Sequence, residues 1–294
     1  MKIAVALRRI TLSSATALLL CASTVHAQSS TGSTNFEPVV GQAGKDVIWV
    51  PTPPLLVDRM LKMAQVTSRD TVVDLGSGDG RIAIAAARDF NARAYGLEFN
   101  PDMVSLSRRE SAKAGVGSRA TFEQADIYKA DFSFATVVTM YLLPNINLDM
   151  RPIVLRMKPG TRVVSHQFTM GEWSPDDTAD MSGRNAYLWI VPARVEGRWT
   201  FDAPQVNWTK NAADVLSITL RQDFQKISGH ASPGNTTLGL RAPLLTGDRL
   251  RFAFVDDNGR MREFNATVNG DTMTGEARVD GEAPVRFTAR RQPG

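Results

Sequence analysis

A short loop with glycine at every second position constrains the fold of this chain more than any other feature. Residues 74–80 read Asp-Leu-Gly-Ser-Gly-Asp-Gly and directly follow an apolar, β-branched run at residues 71–73. An amphipathic stretch begins immediately after the loop, at Arg81. Glycines at such a turn permit a tight backbone and let a ligand approach it closely. The pattern predicts a buried strand, a ligand-binding loop and a helix, in that order.

The same alternation of apolar runs and amphipathic stretches extends over residues 46–188, which we interpret as one domain. Strands separated by helices pair in parallel, with helices on both faces of the sheet. The fold class is therefore α/β, with a doubly wound sheet whose ligands bind at the carboxyl ends of the strands. The strands are predicted at residues 71–75, 94–98, 120–126, 134–142 and 162–166, and helices at residues 53–63, 81–87 and 101–114.

The last third of the chain, residues 189–294, changes to an all-β pattern. Residues 249–254 alternate polar and apolar side chains, and Asn258-Gly259, Asn269-Gly270 and Asp280-Gly281 are typical of hairpin turns. We predict seven or eight antiparallel strands in a small sandwich or barrel. The segment shows no catalytic constellation, so a stabilising or dimerising domain is favoured over a module that binds a substrate or partner.

The first 27 residues have the three parts of a secretory signal peptide. Lys2, Arg8 and Arg9 precede an apolar run, and residues 25–27 match a cleavage site with small residues, so we expect cleavage before Gln28 and export to the periplasm or medium. The alternative is an uncleaved anchor, for which the apolar run is short. We expect no stable membrane span after leader removal. Residues 28–45, rich in Ser, Thr, Gly and Gln, are interpreted as a flexible linker.

Removal of the leader changes the charge and the cysteine content. The chain has a formal net charge of +4, but the residues after the leader carry 31 basic and 30 acidic side chains. Such a near-neutral chain lacks the electrostatic footprint of a non-specific nucleic-acid binder. Cys21 is the only cysteine, and the remaining histidines, His166 and His230, are far apart. A zinc site of ordinary spacing is thereby excluded, and we predict no metal.

The spacing of the glycines separates the classes of nucleotide ligand. A dinucleotide fingerprint needs a small residue where this chain has Arg81, and the loop lacks the lysine of a P-loop. The carboxylate of Asp74 fits poorly beside a pyrophosphate and well beside the cationic amino-acid end of S-adenosylmethionine (SAM). Glu98 follows about 20 residues further on, at the end of the second predicted strand. An acid there can accept hydrogen bonds from both hydroxyls of a ribose.

Residues 73–80 resemble the first motif of class I SAM-dependent methyltransferases, and the resemblance extends over about residues 46–175. It implies a Rossmann-like methyltransferase sheet, SAM as the cofactor and transfer of a methyl group to an acceptor. Glu98 matches the ribose-binding acid of the family. Asp126 matches the acid that contacts the adenine amino group, and Ile127 matches the residue that packs on the ring. The residues implied for the carboxypropyl and sulfonium end are Asp74, Gly76, Ser77, Gly78 and Gly80.

A narrower resemblance is carried by residues 49–53, Trp-Val-Pro-Thr-Pro, and 140–145, Met-Tyr-Leu-Leu-Pro-Asn. These segments are similar to those of a group that contains the mitochondrial protein-lysine methyltransferases. In that group the segment matching Pro51 and Thr52 helps to close the methionine end of the site. The resemblance implies that the acceptor is a protein lysine amine.

Methyl transfer from a sulfonium is an in-line displacement, which requires alignment of the acceptor and exclusion of water. An amine acceptor must also be deprotonated. Tyr141 and Asn145, after the fourth strand, are the candidate catalytic residues that position the acceptor; alternatively, Tyr141 lies in the core and Asn145 in a turn. The segment lacks the Asn-Pro-Pro-aromatic motif, which disfavours bases or glutamine as acceptors. For His166 a core or edge histidine is favoured over a catalytic base.

Two further classes of function stay open at this point. An exported protein could use the same fold to bind SAM or another nucleoside without catalysis, because SAM is made in the cytoplasm. Alternatively, the β domain could carry a small ligand on a degenerate methyltransferase scaffold.

Overall fold

The computed structural model describes residues 36–202, 215–279 and 281–293. These residues form four helices and sixteen strands, and the strands make two sheets. The predicted leader, residues 28–35, Trp208 and Asp280 lie outside the described residues. Within the described part of the chain, no helix has the length and apolar character needed to cross a membrane.

The first sheet contains the five predicted strands and two that the sequence analysis missed. Its strands are β1 (Thr71–Leu75), β2 (Arg93–Glu98), β3 (Ala120–Gln124), β4 (Val137–Met140), β5 (Arg162–His166), β6 (Asp177–Asp180) and β7 (Asn185–Ile190). They lie in the order β3-β2-β1-β4-β5-β7-β6. The first five are parallel, and β7 is antiparallel to both β5 and β6. Because β7 continues to Ile190, the first sheet extends two residues beyond the predicted domain end at 188.

The helices of the first region are α1 (Pro54–Met63), α2 (Arg81–Asp89), α3 (Pro101–Lys113) and α4 (Pro144–Val154). Proline opens three of them, where its missing N–H costs no hydrogen bond. Helix α3 also has an N-cap, because the side-chain oxygen of Asn100 accepts from the backbone N–H of Asp102 at 2.9 Å. The sequence pattern predicts α1, α2 and α3 but not α4.

Alternate strand residues face opposite layers of the molecule. Val72 and Val137 belong to a buried cluster with the apolar residues of α1, α2 and α3. Val73 and Val138 belong to a second cluster, which includes the apolar side of α4. The parallel sheet is thus covered on both faces, and its carboxyl edge remains available for a ligand.

The second sheet has nine antiparallel strands, one more than the upper prediction of eight. They are β8 (Gly197–Asp202), β9 (Leu216–Asp223), β10 (Lys226–Pro233), β11 (Leu238–Gly239), β12 (Arg241–Thr246), β13 (Arg249–Val255), β14 (Met261–Asn269), β15 (Thr272–Val279) and β16 (Val285–Arg291). Their order is β11-β10-β9-β8-β16-β15-β14-β13-β12. The backbone N–H of Leu240 donates to the carbonyl of Gly229 at 3.2 Å, which brings the two ends of the sheet together into a nearly closed barrel.

Aromatic rings fill the interior of this barrel. Phe252 and Phe264 stack with ring centroids 4.6 Å apart, and Phe201 and Phe287 pack beside them. Hairpin turns at residues 258–259 and 269–270 confirm the prediction from the Asn-Gly pairs. A barrel filled in this way gives no support to the hypothesis of a small-ligand carrier.

Candidate active site

The glycine loop turns sharply at the carboxyl end of β1. Gly76, Gly78 and Gly80 have φ angles of +70°, +55° and +82°, a region that residues with a side chain rarely adopt. A Cβ atom at Gly78 would lie 2.8 Å from Nε1 of Trp49. Glycine is therefore needed there both for the backbone conformation and for the close approach of the indole.

The loop forms one wall of a cavity with a volume of about 280 Å³. The cavity lies beside the carboxyl ends of β1 and its neighbours β2 and β4, where the strand order of the sheet reverses. Ligands of doubly wound sheets bind at such a point. Ten of the twelve predicted site residues line the cavity: Pro51, Thr52, Asp74, Gly76, Ser77, Gly78, Glu98, Asp126, Ile127 and Tyr141.

The other two predicted site residues, Gly80 and Asn145, do not line the cavity. Gly80 is the N-cap of α2, and a Cβ atom there would lie 2.6 Å from the ring of Phe122. Its role is therefore in packing the loop rather than in direct contact with a ligand. Asn145 is exposed in the first turn of α4, whereas the next two residues, Ile146 and Asn147, point inward. This placement does not support Asn145 as a residue that positions the acceptor.

Asp74 is a buried carboxylate with few partners. It is 2% exposed, and its Oδ1 atom accepts a hydrogen bond from Oγ1 of Thr139 at 2.7 Å. Burial raises the pKa of Asp74 to about 7, and the nearby carboxylates of Asp79 and Glu98 act in the same direction. A cation placed in the cavity beside Asp74 would favour its ionised form.

Glu98 connects the loop to the second strand. Its two carboxylate oxygens accept hydrogen bonds from the backbone N–H groups of Gly78 and Asn100, both at 2.9 Å. Each oxygen keeps a lone pair that can accept a further hydrogen bond. Glu98 can therefore hold the loop and receive two hydroxyl donors at the same time.

The hydroxyl of Ser77 is buried and has no hydrogen-bond partner among the residues that the structure describes. An unpaired buried polar atom is costly and calls for an explanation. A polar ligand in the cavity that Ser77 lines would supply the missing partner. This orphaned hydroxyl, the glycine cradle and the carboxylates of Asp74 and Glu98 together fit a cationic, ribose-bearing cofactor.

Residues 41–49 form a small hairpin over the cavity, where the sequence analysis predicted the end of a flexible linker. The N–H of Gly41 donates to the carbonyl of Trp49, and the N–H of Trp49 donates to the carbonyl of Gln42, both at 2.9 Å. The prediction of a linker rested on composition alone. Its small polar residues also suit a tight hairpin, and packing on the glycine loop selects that conformation.

Lys45, in this hairpin, contacts the far end of the cavity. Its Nζ atom lies 3.2 Å from a carboxylate oxygen of Asp126 and 4.9 Å and 5.7 Å from the ring centroids of Phe99 and Tyr128. The backbone N–H of Tyr128 and the ammonium group of Lys45 hold the pKa of Asp126 below its usual range. Nothing in the sequence pattern around Lys45 pointed to this contact.

The segment with Pro51 and Thr52 is fixed at the other end of the cavity. The guanidinium of Arg81 donates to the carbonyl of Thr52 at 3.0 Å and pairs with the carboxylate of Asp79 in the loop. Arg81, which excluded a dinucleotide fingerprint, therefore ties the glycine loop to the segment before α1.

His166 is a core histidine that supports two cavity residues. Oγ1 of Thr52 and Nδ1 of His166 are 3.0 Å apart, and the rings of Tyr141 and His166 have centroids 3.8 Å apart. His166 is 1% exposed and does not line the cavity. Burial, assisted by the charge of Arg184, lowers its pKa to about 4. It is therefore neutral near pH 7. Its buried position agrees with the core or edge histidine favoured from the sequence.

Phe168 completes this wall and was not singled out from the sequence. Its ring stacks on Tyr141, with centroids 6.2 Å apart and an interplanar angle of 25°. Phe168 follows Gln167, whose φ of +69° turns the chain at the end of β5. A turn of this kind at a non-glycine residue has no clear sequence signal, so Phe168 could not be assigned to the site in advance.

A glycine cradle at the carboxyl edge of a parallel sheet, with acids at the ends of successive strands, defines a nucleoside-binding α/β protein. Residues 74–177 match the family model described as the ANTKMT methyltransferase domain. A protein-lysine N-methyltransferase from Saccharolobus islandicus is 42% identical over 151 residues, which are 49% of this chain and 94% of that relative.

Two further similar proteins are a curated relative and a solved structure. The adenine nucleotide translocase lysine N-methyltransferase of Mus musculus is 34% identical over 35% of this chain, and the chain covers about half of that relative, 46%. The crystal structure of an RNA methyltransferase from Salinibacter ruber with S-adenosyl-L-homocysteine is 50% identical. The match covers 50% of this chain and 96% of that one, with a TM-score of 0.49.

The chain therefore belongs to the class I SAM-dependent methyltransferases. Its cofactor is SAM, and its sheet is the Rossmann-like methyltransferase sheet with an added antiparallel domain. Membership of this family favours the interpretation that the protein catalyses methyl transfer over the alternative that it binds SAM without catalysis.

Proposed function

We propose that the methyl acceptor is the side-chain amine of a lysine in a protein. The observation that carries this proposal is the aromatic part of the cavity wall, which follows the ends of β4 and β5. Tyr141 and Phe168 form an aromatic surface there, and the neutral ring of His166 supports it. The 42% identity to a protein-lysine N-methyltransferase supports the same acceptor.

An aromatic wall suits a lysine for two reasons. The apolar stem of a lysine packs well on aromatic rings, and a cationic head group is attracted to their faces. Partial burial of the amine also lowers its pKa, which favours the neutral form that must react. If desolvation favours deprotonation of the amine and the proton is released to solvent, the reaction needs no charged base beside the acceptor.

The roles of the cofactor-binding residues follow from their positions along the cavity. When bound, SAM supplies a methyl group activated by its sulfonium. Asp74, with Ser77 in the adjoining loop, would hold the cationic amino-acid end, and Glu98 would accept from the ribose hydroxyls. Asp126 and Ile127 would hold the adenine at the end now contacted by Lys45.

Thr52 and Tyr141 would align the acceptor. The hydroxyl of Thr52 is fixed by His166, and its carbonyl is fixed by Arg81, so this residue has little freedom to move. Tyr141 is fixed between the rings of His166 and Phe168. Both residues are immobilised before substrate binds, which is what an in-line displacement requires of the protein.

Transfer of a radiolabelled methyl group from SAM to lysines of cell-envelope proteins tests the proposal. The purified chain is incubated with methyl-labelled SAM and cell-envelope extract, and a second sample of the extract has its lysines blocked by acetylation. We expect labelled proteins in the first sample only, with methyl-lysine identified by mass spectrometry. Equal labelling of both samples, or label in nucleic acid, would contradict the lysine assignment.

We further propose that the enzyme acts outside the cytoplasm, since residues 1–27 have the composition of a secretory signal. N-terminal sequencing of the protein from fractionated cells tests this location. A mature N-terminus near Gln28 in the periplasmic or secreted fraction is the expected result. An intact leader in the cytoplasmic fraction would contradict it.

A further inference from the structure

The turn between β9 and β10 of the second sheet packs against the first region of the molecule. Phe224, in this turn, stacks on Trp173 with ring centroids 5.9 Å apart and an interplanar angle of 12°. The guanidinium carbon of Arg151 in α4 lies 5.8 Å from the centroid of the same ring. The side chain of Phe224 thus joins α4 to the segment that follows β5.

Hydrogen bonds from the next residue fix the same contact. Oε1 of Gln225 accepts from Nε1 of Trp173 at 3.0 Å, and Nε2 of Gln225 donates to the carbonyl of Ser174 at 2.7 Å. Trp173 is completely buried. Both polar ends of the Gln225 amide are therefore paired with one short segment of the first region.

The turn itself is held in an unfavourable conformation. Phe224 has a φ of +53°, which is uncommon for a bulky residue. The side-chain amide of Gln222 stabilises it by donating to the carbonyls of Phe224 and Ala193, at 2.7 Å and 2.8 Å. A strained turn that is supported from inside its own sheet is suited to hold a neighbouring element in place.

Hydrogen bonds connect the residues that this turn contacts to Phe168. Phe168 and Tyr141 together form the aromatic surface of the cavity, which we call the acceptor wall. Arg151 donates to the carbonyl of Met170 at 2.9 Å, and Asn147, also in α4, donates to the carbonyl of Phe168 at 3.1 Å. The first turn of α4 contributes Ile146 to the cavity. Helix α4 and residues 168–173 therefore form one hydrogen-bonded unit between the turn and the cavity.

We propose that Phe224 and Gln225 are positioning residues for methyl transfer, through which the second sheet holds the acceptor wall of Tyr141 and Phe168 in place. The adenosine end of the cavity is formed by Lys45, Glu98 and Asp126, which the turn does not touch in these contacts. The turn should therefore affect transfer to the acceptor and leave the affinity for the cofactor unchanged.

The substitution Phe224→Ala in the full mature chain tests this assignment. We expect the turnover number for labelling of envelope protein to fall by about tenfold or more, since small displacements of an aligned acceptor cost rate steeply. The dissociation constant for S-adenosylhomocysteine, measured by calorimetry, should stay within about twofold of the unsubstituted value. Phe224→Tyr keeps the stacking ring and should retain turnover.

His166 provides a second readout that needs no acceptor. Its burial depends on the same wall, so loosening the wall should expose the ring and move its pKa from about 4 upward by one unit or more. Histidine NMR over pH follows this change directly. If the unsubstituted enzyme labels no protein, the lysine proposal fails, and the His166 titration still decides the positioning role.

Phe252→Leu is the matched control, because it removes an aromatic ring from the core of the same sheet without touching α4. It should lower stability and leave both turnover and the His166 titration unchanged. Gln225→Ala serves as the second variant if Phe224→Ala does not fold. The proposal is overturned if the folded variants keep normal turnover and a normal His166 titration, or if Phe252→Leu changes both equally.

Discussion

Each of the two sheets buries a carboxylate, and the surroundings of these carboxylates are opposite. Asp256, directly after β13 of the second sheet, pairs with the buried guanidinium of Arg262 at 2.9 Å and also contacts Arg260. Burial alone would raise its pKa, but the backbone N–H groups of Arg260 and Asn258 and the Arg262 side chain hold it below the usual range. Asp74, in the first sheet, has one hydroxyl donor and a raised pKa.

The chain itself supplies the cationic partners of Asp256, whereas the surroundings of Asp74 favour its protonated form. The partners of Asp256 are all part of the chain, so that site needs no further group. Asp74 is buried beside two other carboxylates, Asp79 and Glu98, and a cationic ligand would complete its surroundings. The comparison predicts that charge removal at the Asp256–Arg262 pair lowers stability, whereas charge removal at Asp74 lowers cofactor affinity.

Arg262→Ala should give the largest effect. The substitution leaves the Asp256 carboxylate buried without its guanidinium partner, which costs about 3–5 kcal/mol of folding free energy. Chemical denaturation measures this loss. Arg260→Ala, at a more exposed side chain, should cost about 1 kcal/mol or less. If both substitutions lowered the free energy of unfolding equally, burial of the Asp256–Arg262 pair would not explain the loss.

Asp74→Asn should mainly affect the cofactor. We expect the dissociation constant for SAM to rise by about tenfold or more, on the order of one lost charge-assisted hydrogen bond. Calorimetry with SAM measures this change, and Glu98→Gln should act in the same direction. Asp58→Asn, in an exposed ion pair of α1, is the control and should leave affinity unchanged. Unchanged affinity in both site variants would refute the assignment of the cofactor site.

The raised pKa of Asp74 predicts a dependence of SAM affinity on pH. SAM carries a positive charge that favours ionised Asp74, so affinity should increase as pH rises through about 7. Below that pH the dissociation constant should rise by up to about tenfold per unit. Calorimetry between pH 5.5 and about 8 follows this, and Asp74→Asn should flatten the profile.

The free protein should show the opposite trend in stability. The pKa of Asp74 lies above its ordinary value of 3.8, so the folded state holds an extra proton between about pH 4 and about 7. This contribution to stability is present below that window and is lost as pH rises through about 7. Denaturation of the ligand-free chain and of Asp74→Asn at several pH values separates it from other titrations. A profile that is the same in both proteins would show that Asp74 is ionised throughout.

Lys45→Met should give the smallest effect. The ammonium group of Lys45 pairs with the carboxylate of Asp126, which the adenine amino group would contact. Removal of this ion pair should therefore improve SAM affinity by up to about fivefold. Lys62→Met, in an exposed pair on α1, is the control. A weaker affinity in Lys45→Met would indicate that Lys45 covers the bound cofactor instead of competing with it.

Much of the first region could be predicted because its signals are local. The parallel strands, the glycine loop and the acids at the strand ends are each encoded within a few residues, and parallel strands bring their carboxyl ends to one edge. Helix α4 was missed because Pro152 lies inside it, which interrupts a helical pattern. Strand β6 was missed because it is short and mostly exposed, so it lacks an apolar signal. Strand β7 does carry an apolar signal, at residues 186–190, which the strand assignment from the sequence left out.

The sequence by itself determined the methyltransferase class and the glycine loop, since backbone conformation and alternation along a strand depend on neighbours in the chain. It also predicted Asp74, Glu98 and Asp126 as cofactor-binding acids, and these residues line the cavity. Only the tertiary structure decided which groups that are distant in the sequence come into contact. Lys45 reaches Asp126 across 81 positions, and Gln225 reaches Trp173 across 52. Such contacts depend on how whole layers pack, and a polar side chain at one position carries no local record of its partner at another.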